Sequence, residues 1–188
     1  APEAHFLLGQ QSYSDKKYDE AIEQYSNANS ANARDEIREK AQYKLGWCHF
    51  RKGEFDKAGE WFQRQADEFS KGKLYADGRY MVAQSAYRAK QFEKAFQAYT
   101  VAKPAIEDSV TVSPRIKQLT LLNGARSGNK TKNYKEAADM ASALTAMTDI
   151  DEATKQQANL ELGIAEKSQG NFETAKVPLE SASENDFE

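Results

Sequence analysis

The chain is poor in several things that would narrow its chemistry. It has one cysteine, Cys48, so no disulfide can form within it, and thiol content gives no redox compartment. It has two histidines, His5 and His49, far apart and without a cysteine pair or a His-Glu-x-x-His spacing, so a zinc site would lack ligands. Apolar residues make up 39% against a usual ~45–50%, and mean hydropathy is −0.84. A compact globule this polar would have a thin core, whereas an elongated array tolerates the composition. Basic excess is also missing: net charge is −3 and the pI near 5.6, which argues against a surface for nucleic acid. No apolar run approaches the ~20 residues a membrane span needs. The sequence opens at Ala1 with neither a charged n-region nor an apolar h-region, and reads as a mature product or an excised segment.

Catalytic patterns are equally thin. "GARSGNKT", residues 124–131, resembles a phosphate loop, but Gly124 and Gly128 are separated by three residues rather than four, and Asn129 separates Gly128 from Lys130. It is expected to be an inter-helix loop. The carboxylates of "DEIREK" and "ENDFE" read as solvated helix faces and a tail. Nothing forces two acids into one pocket, and no Ser/His/Asp order stands out. No enzymatic activity and no cofactor are expected.

What is present is a repeat. "KKYDEA", "GEFDKA", "KQFEKA", "KNYKEA" and "GNFETA" end at Ala21, Ala58, Ala95, Ala137 and Ala175, at spacings of 37, 37, 42 and 38. Each has an aromatic three residues before the alanine: Tyr18, Phe55, Phe92, Tyr134, Phe172. Twelve residues before it stands a small residue: Gly9, Gly46, Ala83, Ala125, Gly163. Four residues after it comes Tyr25, Phe62, Tyr99, Ala141 or Leu179. Each unit reads as two helices joined by a tight turn, small residues on both letting the backbones approach. Lys52-Gly53 and Gln169-Gly170 supply a turn residue free to take positive φ, while "SDKK", "RAKQ" and "KTKN" are polar without it.

This spacing resembles the tetratricopeptide repeat. The likeness is carried by Leu45-Gly46, Gly53, Phe55, Ala58 and Phe62, and again by Leu162-Gly163, Gly170, Phe172, Ala175, Leu179 and Ala182. The first and third units keep Leu8-Gly9, Tyr18, Ala21, Tyr25, Ala28 and Ala83, Phe92, Ala95, Tyr99, Ala102. The fourth departs, with Ala141 where a large residue is expected. The resemblance implies an all-α, right-handed superhelical solenoid of antiparallel helix pairs over residues 1–188, with units near 2–35, 37–72, 74–110, 114–148 and 152–185. Units longer than the family's usual 34 residues resemble those of bacterial envelope proteins of the outer-membrane assembly or Tol–Pal-associated type, which implies a periplasmic or envelope location. Pro178 should kink or shorten the last helix. With only "SENDFE" after Ala182 and no capping helix, the native chain is expected to continue at one or both ends.

In this family the first helix of each pair lines the concave face. Its inward residues lie three before, one after and four after the small slot, an i, i+4, i+7 stripe. Here they are Phe6, Gln10, Tyr13; Tyr43, Trp47, Phe50; Tyr80, Gln84, Tyr87; Leu122, Arg126, Asn129; and Leu160, Ile164, Lys167. Seven of the first nine are aromatic, with Arg51 and Arg88 at the edge. Some rings pack between successive helices; the rest match the composition of interaction hot spots. Cys48 and His49 point elsewhere and read as packing. A groove that clamps a C-terminal carboxylate is not expected, since the matching positions are Phe6, Gln10, Lys44, Asp77 and Met81.

The function expected is a non-enzymatic scaffold holding a peptide or helix of a partner protein in an aromatic-lined groove of Phe6, Tyr13, Tyr43, Trp47, Phe50, Arg51, Tyr80, Gln84, Tyr87 and Arg88. The alternative is a structural or assembly subunit, or the repeat segment of a larger envelope or secretion protein, acting through self-association. A sugar- or small-ligand site among the rings ranks third.

Overall fold

The computed structural model describes residues 1–183. Among them all regular structure is helical: α1 (Pro2–Ser14), α2 (Tyr18–Ala28), α3 (Asp35–Arg51), α4 (Phe55–Glu68), α5 (Tyr75–Arg88), α6 (Phe92–Asp108), α7 (Pro114–Lys130), α8 (Tyr134–Thr145), α9 (Glu152–Ser168) and α10 (Phe172–Ser183). The chain divides into two compact units, Ala1–Lys90 and Gln91–Glu188. In the first, α1 packs on α2, α2 on α3, α3 on α4 and α4 on α5; in the second, α6 packs on α7, and so on to α10.

The short turns close by one mechanism. A single residue takes the left-handed conformation: Lys16 (φ 60°), Gly53 (79°), Lys90 (60°), Lys132 (64°) and Gly170 (83°). At Lys16, Gly53, Lys132 and Gly170 the following amide reaches back to the last helical turn. Lys17 N donates to Ser12 O at 2.9 Å, Glu54 N to His49 O at 2.9 Å, Asn133 N to Gly128 O at 2.8 Å and Asn171 N to Glu166 O at 3.0 Å. Each is the long bond of a Schellman ending. Three lysines thus do what glycine does elsewhere.

Close packing within the first, second and fifth hairpins depends on the small slot. A Cβ placed on Gly9 would lie 2.7 Å from the Tyr25 ring, one on Gly46 2.7 Å from Phe62, and one on Gly163 2.5 Å from Leu179. The alanines on the second helices are sealed: Ala21, Ala58, Ala95 and Ala137 have no exposure and Ala175 has 2%.

Three expectations are corrected. In the fourth pair the close approach lies one residue earlier than the alanine register gives. Gly124, not Ala125, receives the large side chain, and it is Met140, not Ala141, that fills the slot. Residues 124–130, read as a loop, are the last turns of α7. Their glycines answer tertiary contact: a Cβ on Gly128 would meet Ala137 at 3.0 Å and Phe96 at 3.1 Å. Glu39 in "DEIREK" is not on a solvated face but 6% exposed. Its Oε1 accepts from the Leu74 amide at 2.8 Å and from Gln65 Nε2 at 3.3 Å, so it satisfies a backbone donor at the start of α5. Pro178 lies inside α10, which spans 12 described residues against 11 to 17 in the other second helices. The tail and missing cap, expected at 184–188, lie outside the described residues.

Candidate functional site

In the first unit the helix periodicity of α1, α3 and α5 places the predicted stripe on one side, where rings and cations alternate. Lys44 Nζ lies 5.2 Å from the Tyr13 ring centre. Arg51 Nε donates to Tyr13 Oη at 3.4 Å, and its guanidinium stands 5.4 Å from the Trp47 ring. Trp47 meets Phe50 edge-on at 5.5 Å, and Phe50 meets Phe55 at 5.2 Å. Arg88 lies over both, 5.5 Å from Phe50 and 5.1 Å from Phe55. Each such contact holds a flexible cation in place at modest gain. Tyr43 sits beneath, edge-on to Trp47 at 6.4 Å and to Phe62 at 5.4 Å. Burial pushes its hydroxyl up to about 12.

The ten residues do not share one environment. Phe6 and Tyr80 are buried, at 8% and 6% exposure, and Phe6 packs on Tyr25. Tyr13, Tyr43, Trp47, Phe50, Gln84 and Tyr87 are half-buried; Arg51 and Arg88 are exposed. Two participants escaped the sequence reading. Phe55 was visible only as a repeat-marking aromatic, and Lys44 only as a basic residue at a clamp position. Asp77, half-buried near Tyr43, carries a carboxyl raised by desolvation.

Cys48 and His49 lie off this face. Cys48 is fully buried in a cluster with Tyr25, Ala41 and Leu45, and burial raises its thiol to about 12. His49 Nδ1 is 2.7 Å from Glu54 Oε2. With Lys52 Nζ at 3.1 Å from the same carboxylate, this holds Glu54 down at about 2.

In the second unit the stripe is built differently. Leu122 is buried at 2% exposure. Arg126 donates from Nη2 to Gln157 Oε1 at 2.9 Å and from Nε to Glu161 Oε1 at 3.4 Å, and Asn129 Nδ2 donates to Glu161 Oε2 at 2.8 Å. Arg126 and Asn129 of α7 thus donate to α9, while Asn129 Oδ1 is buried without a partner among the described residues. Leu160 and Ile164 are 44% and 38% exposed, and Lys167 is exposed too.

Among the described residues no group of three or more His, Cys, Asp or Glu is placed to hold a metal ion. No described helix is long and apolar enough to cross a membrane.

The family model for the tetratricopeptide repeat matches residues 31–73, a repeat family rather than a family of enzymes. No curated protein matches the chain. Among solved structures it is similar to MamA (AMB-1), with a TM-score of 0.73 and 14% identity over 98% of this chain and 91% of that one. It is similar to a putative kinesin light chain of Podospora anserina with nearly identical TPR-like repeats, at 0.67 and 16% over 97% and 94%. It is also similar to YrrB, a TPR protein described as having an unusual peptide-binding site, at 0.70 and 16% over 95% and 82%. The chain thus carries a tetratricopeptide repeat at residues 31–73, and its all-helical fold is that of the tetratricopeptide-repeat proteins.

Proposed function

We propose that the chain is a non-enzymatic protein–protein interaction scaffold whose first unit holds a peptide or helix of a partner. The observation that carries this is the ring–cation stack Tyr13–Arg51–Trp47–Phe50–Arg88, half-buried at its rings and exposed at its cations. Such a surface gains from being covered: aromatic and Arg side chains at the centre of a patch carry most interface energy. Tyr43 and Tyr87 extend the apolar bed, Gln84 stands half-buried on the same stripe, and Phe6 and Tyr80 are its buried members. The peptide-binding site of the similar YrrB is consistent with this use of the fold.

The test is a pull-down from native extract with the wild type and with the Trp47→Ala/Tyr87→Ala double variant, both checked by circular dichroism. A partner captured by the wild type and lost by the folded variant is expected. Equal capture by both would remove the groove from the reading. Because Trp47 is only half-buried, Trp47→Ala should lose less than the ~3–5 kcal/mol of a fully buried ring.

A second reading, assembly through self-association, is favoured by the exposed apolar side chains of α1 and α10. Leu7 and Leu8 are 65% and 55% exposed, and Phe172 and Val177 are 67% and 66% exposed. Sedimentation would decide it: a mass that rises with concentration and reverts in Leu8→Glu supports it, and a constant monomer mass removes it.

A further inference from the structure

The arginines of the first unit differ in how they are held. Arg34, Arg38 and Arg79 form ion pairs with Glu3, with Asp35 and Glu68, and with Asp67, and Arg38 and Arg79 also lie over Phe69 and Tyr75. Arg51, Arg64 and Arg88 lie on rings without an ion pair to a described carboxylate: Arg64 of α4 on Trp61, Arg51 on Trp47, and Arg88 on Phe50 and Phe55, with Arg51 and Arg88 on the predicted stripe. Stacking uses the flat face of a guanidinium and leaves its in-plane N–H groups free. Arg51 spends only Nε, on Tyr13 Oη. Two planar forks are therefore held on an apolar bed with their donor edges available, one repeat apart at the same repeat position. That geometry suits bidentate carboxylate recognition. Lys44, over Tyr13, adds a third positive charge on the same side. The chain's net charge is −3, so this row runs against the charge of the whole.

Arg88 reaches from α5 onto Phe50 of α3, so its side chain bridges the two helices. Arg51 lies 5.4 Å from Trp47, Trp47 5.5 Å from Phe50 and Phe50 5.5 Å from Arg88, so the two guanidinium groups stand within the reach of these three steps. An extended chain rising about 3.3 Å per residue covers that in at most about five residues.

Resting on the groove reading above, we infer that the partner segment is an extended acidic peptide. It places two carboxylate side chains, at most about five residues apart, on Arg51 and Arg88, with an apolar side chain between them on Trp47 and Phe50. Asp77 is the opposing charge on α5. It lies near Tyr43 and would repel such a peptide, so removing its charge should strengthen binding.

An array of peptides about twelve residues long tests this with the full chain. Each peptide has one central Leu or Phe flanked by two variable positions set to Glu, Gln or Lys, at separations of two, three and five. The expected result is stronger retention of Glu pairs than of their Gln counterparts, about tenfold at the best separation and falling as salt rises. Arg51→Gln/Arg88→Gln should reduce it to the Gln level, and Asp77→Asn should raise it. If Gln or Lys peptides are held as well as Glu peptides, and Trp47→Ala still abolishes retention, the acidic partner is wrong and the groove stands. A Glu preference that survives Arg51→Gln/Arg88→Gln also overturns the inference. If Trp47→Ala changes no retention, the groove reading falls and takes this inference with it.

Discussion

Lys16, Lys90 and Lys132 occupy the positive-φ position that Gly53 and Gly170 fill in the other two short turns. The three lysines are exposed, so their side chains gain no packing in return. A left-handed conformation costs an L-residue roughly 1–2 kcal/mol, partly offset because glycine loses more freedom on folding. Lys16→Gly and Lys132→Gly are therefore each expected to raise stability by about 0.5–1 kcal/mol, and Gly53→Ala to lower it by about 1 kcal/mol. Urea denaturation measures both, and a loss in the lysine variants would show that the side chains have a role not visible in their contacts. At this scale the sequence was partly legible. The aromatic–alanine spacing located each turn, and Gly53 and Gly170 announced their backbone. Lysine carries no such mark, because its strain is imposed by the closing bond from the next amide. The slot glycines Gly9, Gly46 and Gly163 were legible for the opposite reason: their partners recur at a fixed distance along the chain.

Helix starts concentrate the electrostatics. Glu54 precedes α4 and is held at about 2, against an ordinary 4.5, by His49 and Lys52. A carboxyl lowered on folding stabilises the fold above its unfolded value, and that contribution is lost as pH falls through the folded one. Between about pH 4.5 and 2 the wild type should therefore lose melting temperature more steeply than Glu54→Gln; parallel profiles would mean the triad adds nothing. Glu39 acts on an element from further away, since its carboxylate accepts from the Leu74 amide before α5. Glu39→Ala leaves that amide and Gln65 Nε2 without their acceptor and is expected to cost about 1–3 kcal/mol. Glu39→Gln keeps an acceptor oxygen and should cost less. Denaturant melts compare the two, and equal losses would assign the effect to the charge instead. Neither Glu39 nor the end of α7 could be read from local pattern. "DEIREK" has the charge alternation of a wet helix face, and only the return of the 69–74 connector buries Glu39. "GARSGNK" has loop composition, and only the approach of Phe96 and Ala137 explains its glycines.

At the scale of the whole chain, packing passes within each unit from one helix to the next, so stability should be uneven along it. The repeat period made the helix pairs legible, but the division at Lys90–Gln91 falls inside a turn that no change of composition marks. Within the first unit α1 buries only Phe6 and Gly9, whereas α3 buries Ala41, Gln42, Leu45, Gly46, Cys48 and more. Within the second, α10 buries only Ala175, whereas α7 buries a continuous run from Thr120 to Ala125. Pro178 also removes one amide donor from α10. Local opening should follow this order, from near zero at weakly buried helices toward the global value at deeply buried ones. Hydrogen exchange read by mass spectrometry is expected to find α10 and α1 least protected, and α7 and α3 most. Uniform protection would mean that each unit opens as one body and that burial per helix does not set local stability. The gradient bears on binding because Tyr43, Trp47, Phe50 and Arg51 all lie on α3. A partner seated there meets side chains on a helix that rarely opens, so little ordering cost attends its capture.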